Sequence, residues 1–552
     1  MEKRILLAII LSFLVLVLYQ VFFVKKQPPP SEIIEKKGKV EKKTEEIKPP
    51  PRVEKIEKPV VEPSIGEQIV GEQIIGLEEN KIIVETSLYR AIWTNRGGLL
   101  YSWKLKKHKD DNGGDLELVS EEAHQINKYP FYILTESDQY NQEINNALYH
   151  SPSRKISLRD GEKGSIKFIY SKGRDVKIEK IFNFEGGSYL VSSQINVWLN
   201  GRQVEPEILW GPSIRTLSEK ERKQKFGGGK GIAVLVGNKV YRIKEEKFKL
   251  PEAFYLYPQW AAYEDNYFAA LFLLDPNQSR VKYLKDVKEN IPYYFLSVTH
   301  PEKMFLGPKE YNLLIRLGYQ TKNLIKFGFF GWIAEILLRA LQFIHKSIPN
   351  YGFSIIILTL IIKILFFPLT FSGSRSMAKM QELQPKIKAL RARYKKVKTD
   401  IAQRRKLNEE MMKLYKEHGI NPAGGCLPML IQIPVFWGFF RLLMVSIEIR
   451  HSPFILWIKD LSVKDPYYVT PILMGISQYI SQKMTPTTAD PTQARMMMIM
   501  PVVMTLFFMN FQSGLVLYWL TSNVLQIGQQ YIINKMIKKE KRKKDGRKKK
   551  KR

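Results

Sequence analysis

The stretch 352-GFSIIILTLIIKILFFPLTF-371 decides how the rest of the chain is interpreted. Its 20 residues match the length that a helix needs to cross the hydrocarbon core of a bilayer. Lys363 lies near the middle, where inserting a cation costs roughly 2.5–3.5 kcal/mol. The other apolar stretches contain no acidic residue deep inside them that could pair with this lysine. Two interpretations stay open: Lys363 faces a water-filled cavity within the membrane, or it reaches the headgroups of a locally thinned bilayer.

Composition points to a membrane protein with a large polar part, since 552 residues carry a net charge of +33 at a mean hydropathy of −0.23. Cys426 is the only cysteine, which excludes an internal disulfide and a cysteine-rich zinc site. The seven histidines show no metal-ligand spacing, so we expect neither a metal nor a cofactor. Much of the charge is concentrated in two segments, residues 375–418 with a net +9 and residues 535–552 with a net +11.

The first 79 residues predict an anchor and a tether. Residues 1–24 begin with a short basic segment and continue as an apolar run without an A-x-A-like cleavage site. This pattern favours an uncleaved signal-anchor helix over a cleaved signal peptide. Residues 25–79 are mostly rich in Lys, Glu and Pro, a composition that buries too little apolar surface to fold and that predicts an extended tether.

Residues 80–320 show the pattern of an all-β domain, with short alternating segments separated by Gly, Asn and Asp turns. The predicted strands include KIIVETSLYRAIW (81–93) and YNLLIRLGY (311–319). We expect a sandwich-like fold that rests on core packing alone. Within residues 321–350, polar residues recur at helical spacing in an apolar segment, which favours a helix lying in the membrane interface; packing against the β-domain is the alternative.

The pattern of residues 351–534 predicts a helical core with five membrane spans. Together with the anchor helix, the chain is predicted to have six spans. The five spans of the core are 352–371, 425–446, 467–482, 496–511 and 514–533. Between the first two, residues 375–418 show apolar residues at steps of three and four, which predicts a basic coiled-coil hairpin. Pro385 lies inside this repeat, so the first helix of the hairpin is either kinked there or begins there. The final residues, 535–552, are basic and predict a disordered tail.

Charge asymmetry predicts the orientation of the spans. The basic hairpin and tail belong on the cytoplasmic side, which makes both termini cytoplasmic and the β-domain extracytoplasmic. Two spans have only 16 residues each, which indicates a thinned bilayer. The last span carries a polar face, formed by Tyr518, Ser522, Gln526 and Gln529. Such a face suits the wall of a water-filled cavity, and hydrogen bonding between helices is the alternative.

Seven motifs of the C-terminal half resemble the YidC branch of the YidC/Oxa/Alb membrane protein insertase family. They are GFSIII with its mid-span cation, SMAKM, LQPKIKALR, NPAGGCLPMLIQIP (421–434), SPFILWIKDLSVKDPYY (452–468), QKMTPTT (482–488) and SGLVLYW (513–519). The resemblance runs from about residue 329 to residue 534. It implies the Gram-negative architecture, a polytopic α-helical membrane protein with six spans, a large periplasmic β-supersandwich-like domain and a cytoplasmic helical hairpin.

The resemblance also implies a positively charged, hydrophilic groove within the membrane. The family usually has Arg where this chain has Lys363, which keeps the charge but lacks the rigid guanidinium fork. The expected substrate-groove residues are Lys363, Thr359, Gln432, Ile433, Tyr518, Trp519, Ser522, Asn510 and Gln512. Asn510 and Gln512 stand where relatives often have Trp and Pro, so we expect the extracytoplasmic end of the groove to differ.

The function implied is that of a membrane protein insertase and chaperone that helps newly made proteins enter and fold in the inner membrane. No catalytic constellation is visible, so the chain is not expected to be an enzyme. Expected partners are nascent membrane proteins, the Sec translocon, anionic lipids and ribosomal RNA, with the chain acting as a monomer. The expected ribosome contacts are Lys395, Lys396, Arg404, Arg405, Lys548 and Lys549. The alternative is a membrane transporter or channel for a small anion, bound at Lys363.

Overall fold

The computed structural model describes residues 73–222, 229–394, 401–419, 427–485 and 491–549. These residues form two compact units: a first unit that ends at Leu324, and a second unit that begins at Ile325 and also includes the short helix Glu219–Arg222. The predicted signal anchor and residues 25–72 of the predicted tether lie outside the described residues.

The first unit is built mainly from β-strands. In chain order they are β1 (Gln73–Ile74), β2 (Lys81–Glu85), β3 (Tyr89–Thr94), β4 (Leu99–Lys109), β5 (Asp115–Glu117), β6 (Tyr132–Leu134), β7 (Lys155–Ser157), β8 (Lys163–Lys172), β9 (Val176–Glu185), β10 (Leu190–Leu199), β11 (Arg202–Val204), β12 (Glu207–Trp210), β13 (Gly231–Val236), β14 (Lys239–Lys244), β15 (Glu252–Leu256), β16 (Trp260–Glu264), β17 (Phe268–Leu274), β18 (Arg280–Lys288), β19 (Ile291–Val298) and β20 (Pro301–Pro308). The short helices up to Leu317 are α1 (Glu121–Ile126), α2 (Asp138–Asn146), α3 (Glu219–Arg222), which belongs to the second unit, and α4 (Tyr311–Leu317).

The strands form three sheets. The largest has ten strands, in the order β1-β8-β9-β10-β20-β17-β16-β13-β14, with β11 paired to β10. A second sheet has the order β15-β18-β19-β12-β6, and a third has the order β5-β4-β3-β2-β7. Apart from the parallel pair β2–β7, the named strands pair antiparallel. The predicted β-rich domain is confirmed, although β1 lies within the segment that was predicted as tether.

Aromatic side chains fill the core of this unit. Trp93 lies 4.2 Å from Phe182 and 5.1 Å from Phe131 between ring centroids, and Tyr89 stacks on Trp103 at 3.9 Å. Every residue of β16 and β17 is buried. Burial on both faces explains why the sequence of β17 is a continuous apolar run rather than an alternating one.

Charged groups are also buried in the core, and each has partners. The Lys180 ammonium is fully buried and donates to the carbonyl oxygens of Gly97 at 2.7 Å and Phe131 at 3.0 Å, which joins β9 to two loops. Burial lowers the pKa of Lys180 to about 7. The Arg215 guanidinium pairs with the Asp265 carboxylate, and both side chains are buried. Breaking such a pair from one side would leave a buried charge without a partner.

Two of the predicted strands differ in the structure. The segment 81–93 was predicted as one strand but forms the hairpin β2–β3, because the Thr86 hydroxyl accepts the backbone N–H groups of Leu88 and Tyr89 and closes a turn. The segment 311–319 was predicted as a strand, and that prediction is wrong, since Tyr311–Leu317 is helix α4. Its buried residues, Tyr311 and Leu314, lie three apart, as one face of a helix requires.

The second unit is helical. From Gly331 onward its helices are α5 (Gly331–Ser347), α6 (Tyr351–Leu365), α7 (Phe367–Glu382), α8 (Gln384–Arg393), α9 (Ile401–Glu417), α10 (Leu427–Val445), α11 (Val469–Met484), α12 (Pro491–Phe508) and α13 (Ser513–Lys549). Helix α5 packs against α10, where a Cβ added at Gly438 would lie 2.8 Å from Ile333 Cγ2. Its opposite face leaves Trp332 and Phe343 exposed, so α5 is amphipathic; its position in a membrane interface stays a prediction.

The deciding stretch, residues 352–371, is not one straight helix. Helices α6 and α7 meet at Phe366 with a bend of 58°. Pro368 lies in the first turn of α7, where its missing N–H prevents α6 from continuing unbroken. Among the described residues, no single helix is both long and apolar enough to cross a membrane, and α6 and α7 meet that requirement only as a bent pair. The predicted count of six spans is therefore not confirmed.

The basic segment 375–418 contains the end of α7 and the helices α8 and α9, which pack together. Buried Met380, Leu383 and Ile387 form a cluster with Met411 and Leu414 of α9. The open question about Pro385 is resolved, because α8 begins at the residue before it. This is where proline is tolerated, since the first N–H groups of a helix have no partner within it.

The C-terminal tail also differs from its prediction. It was predicted to be disordered, but α13 continues without interruption to Lys549. Lys, Arg and Glu are good helix formers, and a helix that is already nucleated extends at little cost.

We predict that the first unit folds without the helical unit and that its boundary lies beyond residue 320. The Arg242 guanidinium donates to the carbonyl oxygens of Asn323 at 2.6 Å and Leu324 at 3.1 Å, and the Leu324 side chain is fully buried. Fragments 73–324 and 73–320 should both give a β-type circular dichroism spectrum and unfold cooperatively. The shorter fragment should be less stable by about 2–4 kcal/mol in denaturant titration. A helical spectrum, or equal stability of the two fragments, would contradict this assignment.

Candidate functional site

Lys363, the lysine near the middle of residues 352–371, lies at the contact between α6 and α13. The Lys363 ammonium donates to Gln526 Oε1 at 3.0 Å, and only 8% of the residue's surface is exposed. One turn along α13, Gln529 Nε2 donates to the backbone carbonyl of Lys363 at 2.8 Å. Because residues three apart lie on one face of a helix, the two glutamines hold one residue of α6 from two directions.

The hydrogen-bond partner of Lys363 is a neutral amide, and this contact leaves both interpretations of the sequence open. Among the described residues, no carboxylate lies within ion-pair distance of this ammonium. An amide oxygen accepts a hydrogen bond but supplies no opposite charge, so it does not neutralise a protonated Lys363. A buried cation that is hydrogen-bonded but not neutralised can attract an anionic group.

Further amides continue the polar face of α13 and were not predicted. Gln530, which is fully buried, lies 3.4 Å from the Ser374 hydroxyl and donates to Asn534 Oδ1 at 2.9 Å. Asn523 Nδ2 donates to the carbonyl of Met474 on α11 at 3.2 Å. The sequence contained the signal, because residues 523, 526, 530 and 534 follow steps of three and four, but the predicted face was formed by Tyr518, Ser522, Gln526 and Gln529.

Aromatic contacts dominate the other end of the predicted groove. The Tyr518 ring is buried and stacks on Phe439 of α10 with centroids 4.3 Å apart. The Trp519 ring meets Phe436 edge-on at 4.7 Å and lies 5.1 Å from Phe508. The Trp519 indole N–H is buried without a hydrogen-bond partner among the described residues. These rings attach α13 to α10 and α12.

The remaining predicted groove residues differ in burial. The buried Thr359 hydroxyl donates within its own helix, to the Ile355 carbonyl at 2.6 Å. The other five differ in exposure: Gln432 and Ser522 are half-buried, Ile433 and Asn510 are exposed, and Gln512 is buried. The structure therefore brings Lys363 together with Gln526 and Gln529, and it places Tyr518 and Trp519 in aromatic contacts with α10. Lys363 forms no hydrogen bond with any of the other eight predicted groove residues, all of which are described.

The predicted ribosome contacts are only partly described. Arg405 lies on α9, where its exposed side chain forms an ion pair with Glu409 at 3.4 Å. Arg404 lies on the same helix, and Lys548 and Lys549 lie near the end of α13. Two predicted contacts, Lys395 and Lys396, lie outside the described residues.

Comparison with known proteins gives the class first. Residues 343–541 match the family described as "60Kd inner membrane protein", and residues 81–340 match the one described as "YidC periplasmic domain". These matches define the class: an inner membrane protein with a large β-rich periplasmic domain and a helical C-terminal region.

Curated relatives give the family. The chain is 38% identical to the membrane protein insertase YidC of Syntrophus aciditrophicus over 97% of this chain and 100% of the relative. It is 36% identical to that of Geotalea uraniireducens, with the same coverage. A solved structure described as an active YidC insertase with its first transmembrane domain resolved is 20% identical, with a TM-score of 0.36, over 84% of this chain and 95% of that one. The chain belongs to the YidC membrane protein insertase family.

We predict strong energetic coupling between Lys363 and Gln526. Gln526→Leu should destabilise the α6–α13 contact by about 1–3 kcal/mol, because it leaves the ammonium buried without an acceptor. The double variant Lys363→Met/Gln526→Leu should lie close to the wild type, since both partners are then apolar. Hydrogen exchange of α6 and α13 in detergent measures this stability, with Ser522→Ala as the control. A double variant as unstable as Gln526→Leu would contradict the coupling.

Proposed function

We propose that this chain is an insertase that helps newly made membrane proteins enter and fold in the inner membrane. The single observation that supports this function best is the buried Lys363 cation, held by the neutral Gln526 amide between α6 and α13. The proposed role is non-enzymatic: the chain lowers a barrier to insertion and makes or breaks no covalent bond. Membership of the insertase family supports the same function.

The proposed mechanism is an exchange of hydrogen-bond acceptors. A carboxylate on the translocated segment of a client competes with Gln526 for the Lys363 ammonium, because the carboxylate adds an attraction between opposite charges that the neutral amide lacks. The amide releases the cation without leaving a buried anion behind. The client's acidic segment is thereby drawn into the membrane, while Thr359, Gln432, Ile433, Tyr518, Trp519 and Ser522 are proposed to contact its apolar part. Asn510 and Gln512 are proposed to form the periplasmic end of the groove.

Six spans are proposed: the anchor at residues 1–24, the α6–α7 pair, and helices α10 to α13 within residues 351–534. Large aliphatic side chains on the outer faces of α6, α11 and α12 support this arrangement. Examples are Ile361, Ile364, Leu365, Ile472, Leu473, Ile476, Ile499, Val502 and Leu506. Aliphatic groups exposed in such number suit lipid contact better than water. Client helices would leave along the same faces.

The proposed orientation places both termini and the basic hairpin of residues 375–418 in the cytoplasm and the β-domain in the periplasm. Residues 25–72 are the proposed tether, and helix α5 is proposed to lie at the interface. This orientation is supported by the basic excess of segments 375–418 and 535–552. Proposed cytoplasmic partners are ribosomal RNA and anionic lipids; the Sec translocon is proposed as a membrane partner of a monomeric chain.

Lys363→Ala should reduce insertion of clients with acidic translocated segments by about tenfold, because it removes a charge-assisted contact. Lys363→Arg should retain insertion, and clients with neutral segments should depend little on the substitution. Insertion of paired acidic and neutral clients into proteoliposomes measures this effect. Arg375→Ala is the matched control, since it removes a cation that pairs with Glu540 at 3.0 Å, away from Lys363. Equal insertion of all clients by Lys363→Ala would remove the attraction mechanism.

The basic end of α13 should contribute to ribosome binding together with the hairpin. Lys548→Gln/Lys549→Gln keeps a helix-forming composition but removes two charges, so it should weaken co-sedimentation with ribosomes and flatten its salt dependence. Deleting residues 535–552 should do so more strongly, and Arg405→Gln tests the hairpin. The measurement uses uncharged detergent, which removes lipid as a competing partner. If full-length and shortened chains sediment alike at every salt concentration, the tail does not bind ribosomes.

A further inference from the structure

One face of the sheet β15-β18-β19-β12-β6 carries a cavity of about 350 Å³. Glu252, Leu284 and Phe295 are direct neighbours across β15, β18 and β19, so their side chains lie on the same face. Leu209 of β12 and Leu134 of β6 also line the cavity. Each strand of this sheet thus contributes at least one lining residue, with Lys285 and Asp286 of β18 in addition to Leu284, and the cavity runs across the strands rather than along an edge.

The floor of the cavity is apolar. Leu209 and Phe295 are buried and belong to a hydrophobic cluster that also contacts the partly buried Leu134 and Leu284. Ligand cavities in proteins range from about 300 to 1,000 Å³ and combine an apolar lining with a few placed polar groups. This cavity is at the small end of that range, so it suits one or two aliphatic side chains.

A lysine without a hydrogen-bond acceptor lies against this floor. Lys128 Nζ is 4.5 Å from the centroid of the Phe295 ring and 5.1 Å from that of Tyr132. Within the described part of the chain, its ammonium makes no hydrogen bond and no ion pair. Burial lowers the pKa of Lys128, and the nearby Asp286 partly offsets this effect. A carboxylate entering the cavity would supply the acceptor that the ammonium lacks.

The polar side chains at the rim of the cavity indicate which class of ligand it can bind. Glu252 and Asp286 are exposed and offer acceptors for N–H groups. A sugar would need a free aromatic face, but Phe295 is only 1% exposed and lies beneath Lys128. A free aliphatic acid has no donors for the two carboxylates. A polypeptide combines an aliphatic side chain, a carboxylate and backbone N–H donors.

We propose that this cavity of the β-domain binds a polypeptide segment in which an aliphatic side chain lies next to a carboxylate. The aliphatic group rests on Leu209, Leu134 and Leu284, the carboxylate accepts from Lys128, and backbone N–H groups donate to Glu252 or Asp286. The β-domain thereby gains a polypeptide-binding activity of its own, separate from insertion through the helical unit.

Fluorescence anisotropy of a labelled, end-blocked Leu-Leu-Glu-Leu peptide on the full-length protein in phosphatidylcholine nanodiscs tests this proposal. The same peptide with glutamine in place of glutamate should bind about tenfold more weakly. Lys128→Gln should abolish that preference, and Lys128→Arg should retain it. Lys177→Gln is the matched control, since Lys177 lies 5.2 Å from the Trp198 ring, outside the cavity, and should leave binding unchanged.

Leu284→Glu supplies a second test that keeps Lys128 in place. It puts a carboxylate into the cavity and should displace the acidic peptide. The proposal is overturned if wild type and Lys128→Gln bind both peptides alike, if Lys177→Gln weakens binding as much as Lys128→Gln, or if Leu284→Glu binds like wild type. Hexanoate has the carboxylate and aliphatic chain without N–H groups. Displacement by hexanoate as readily as by unlabelled peptide would assign the cavity to free aliphatic acids and overturn the peptide assignment.

Discussion

The arrangement of the helical unit depends on a cation that is buried but not neutralised. Lys363 reaches the Gln526 amide across the α6–α13 contact, and Gln529 returns a hydrogen bond to its backbone. Desolvating an ammonium costs several kcal/mol, and an amide oxygen offsets only part of that cost. The two glutamines also fix the rotation of α13 about its axis, because only one face of that helix can meet α6. Once this rotation is fixed, the sequence of α13 determines which of its polar and aromatic side chains face each neighbouring helix.

Helix α13 is attached to its neighbours by aromatic packing in its first part and by hydrogen bonds in its second part. Near its start, Tyr518 and Trp519 pack against the aromatic residues of α10, so attachment there rests on apolar area and ring geometry. Further along, Asn523 and Gln530 attach it to α11 and α7 by directional hydrogen bonds. The cation lies in the second part, where every neighbouring amide can both donate and accept. Such groups can exchange partners without leaving a charge unpaired.

Local patterns predicted much of the β-rich unit and the general position of the site. Alternation in β9 places Val176, Ile178 and Phe182 on the inner face together with Lys180, so a buried lysine could have been predicted from period two. The apolar residues of segment 311–319 are compatible with both a strand and a helix. The segment is helical in the structure, where Tyr311 and Leu314 are buried on one face. Similarly, the high apolarity of residues 352–371 concealed the break at Pro368. The pairing of Lys363 with Gln526 could not be predicted, since 163 residues separate the two and no period encodes which helices meet.

The unbroken length of α13 has a mechanical consequence. Its 37 residues span about 55 Å at 1.5 Å per residue, and Gln526 lies only about 14 Å from Lys535, where the basic end begins. A continuous helix is stiff in torsion, so a torque applied to its basic end turns the Gln526 amide relative to α6 instead of being absorbed by a hinge. A ligand that turned the cationic end of α13 would therefore change the position of the Gln526 amide relative to the Lys363 ammonium.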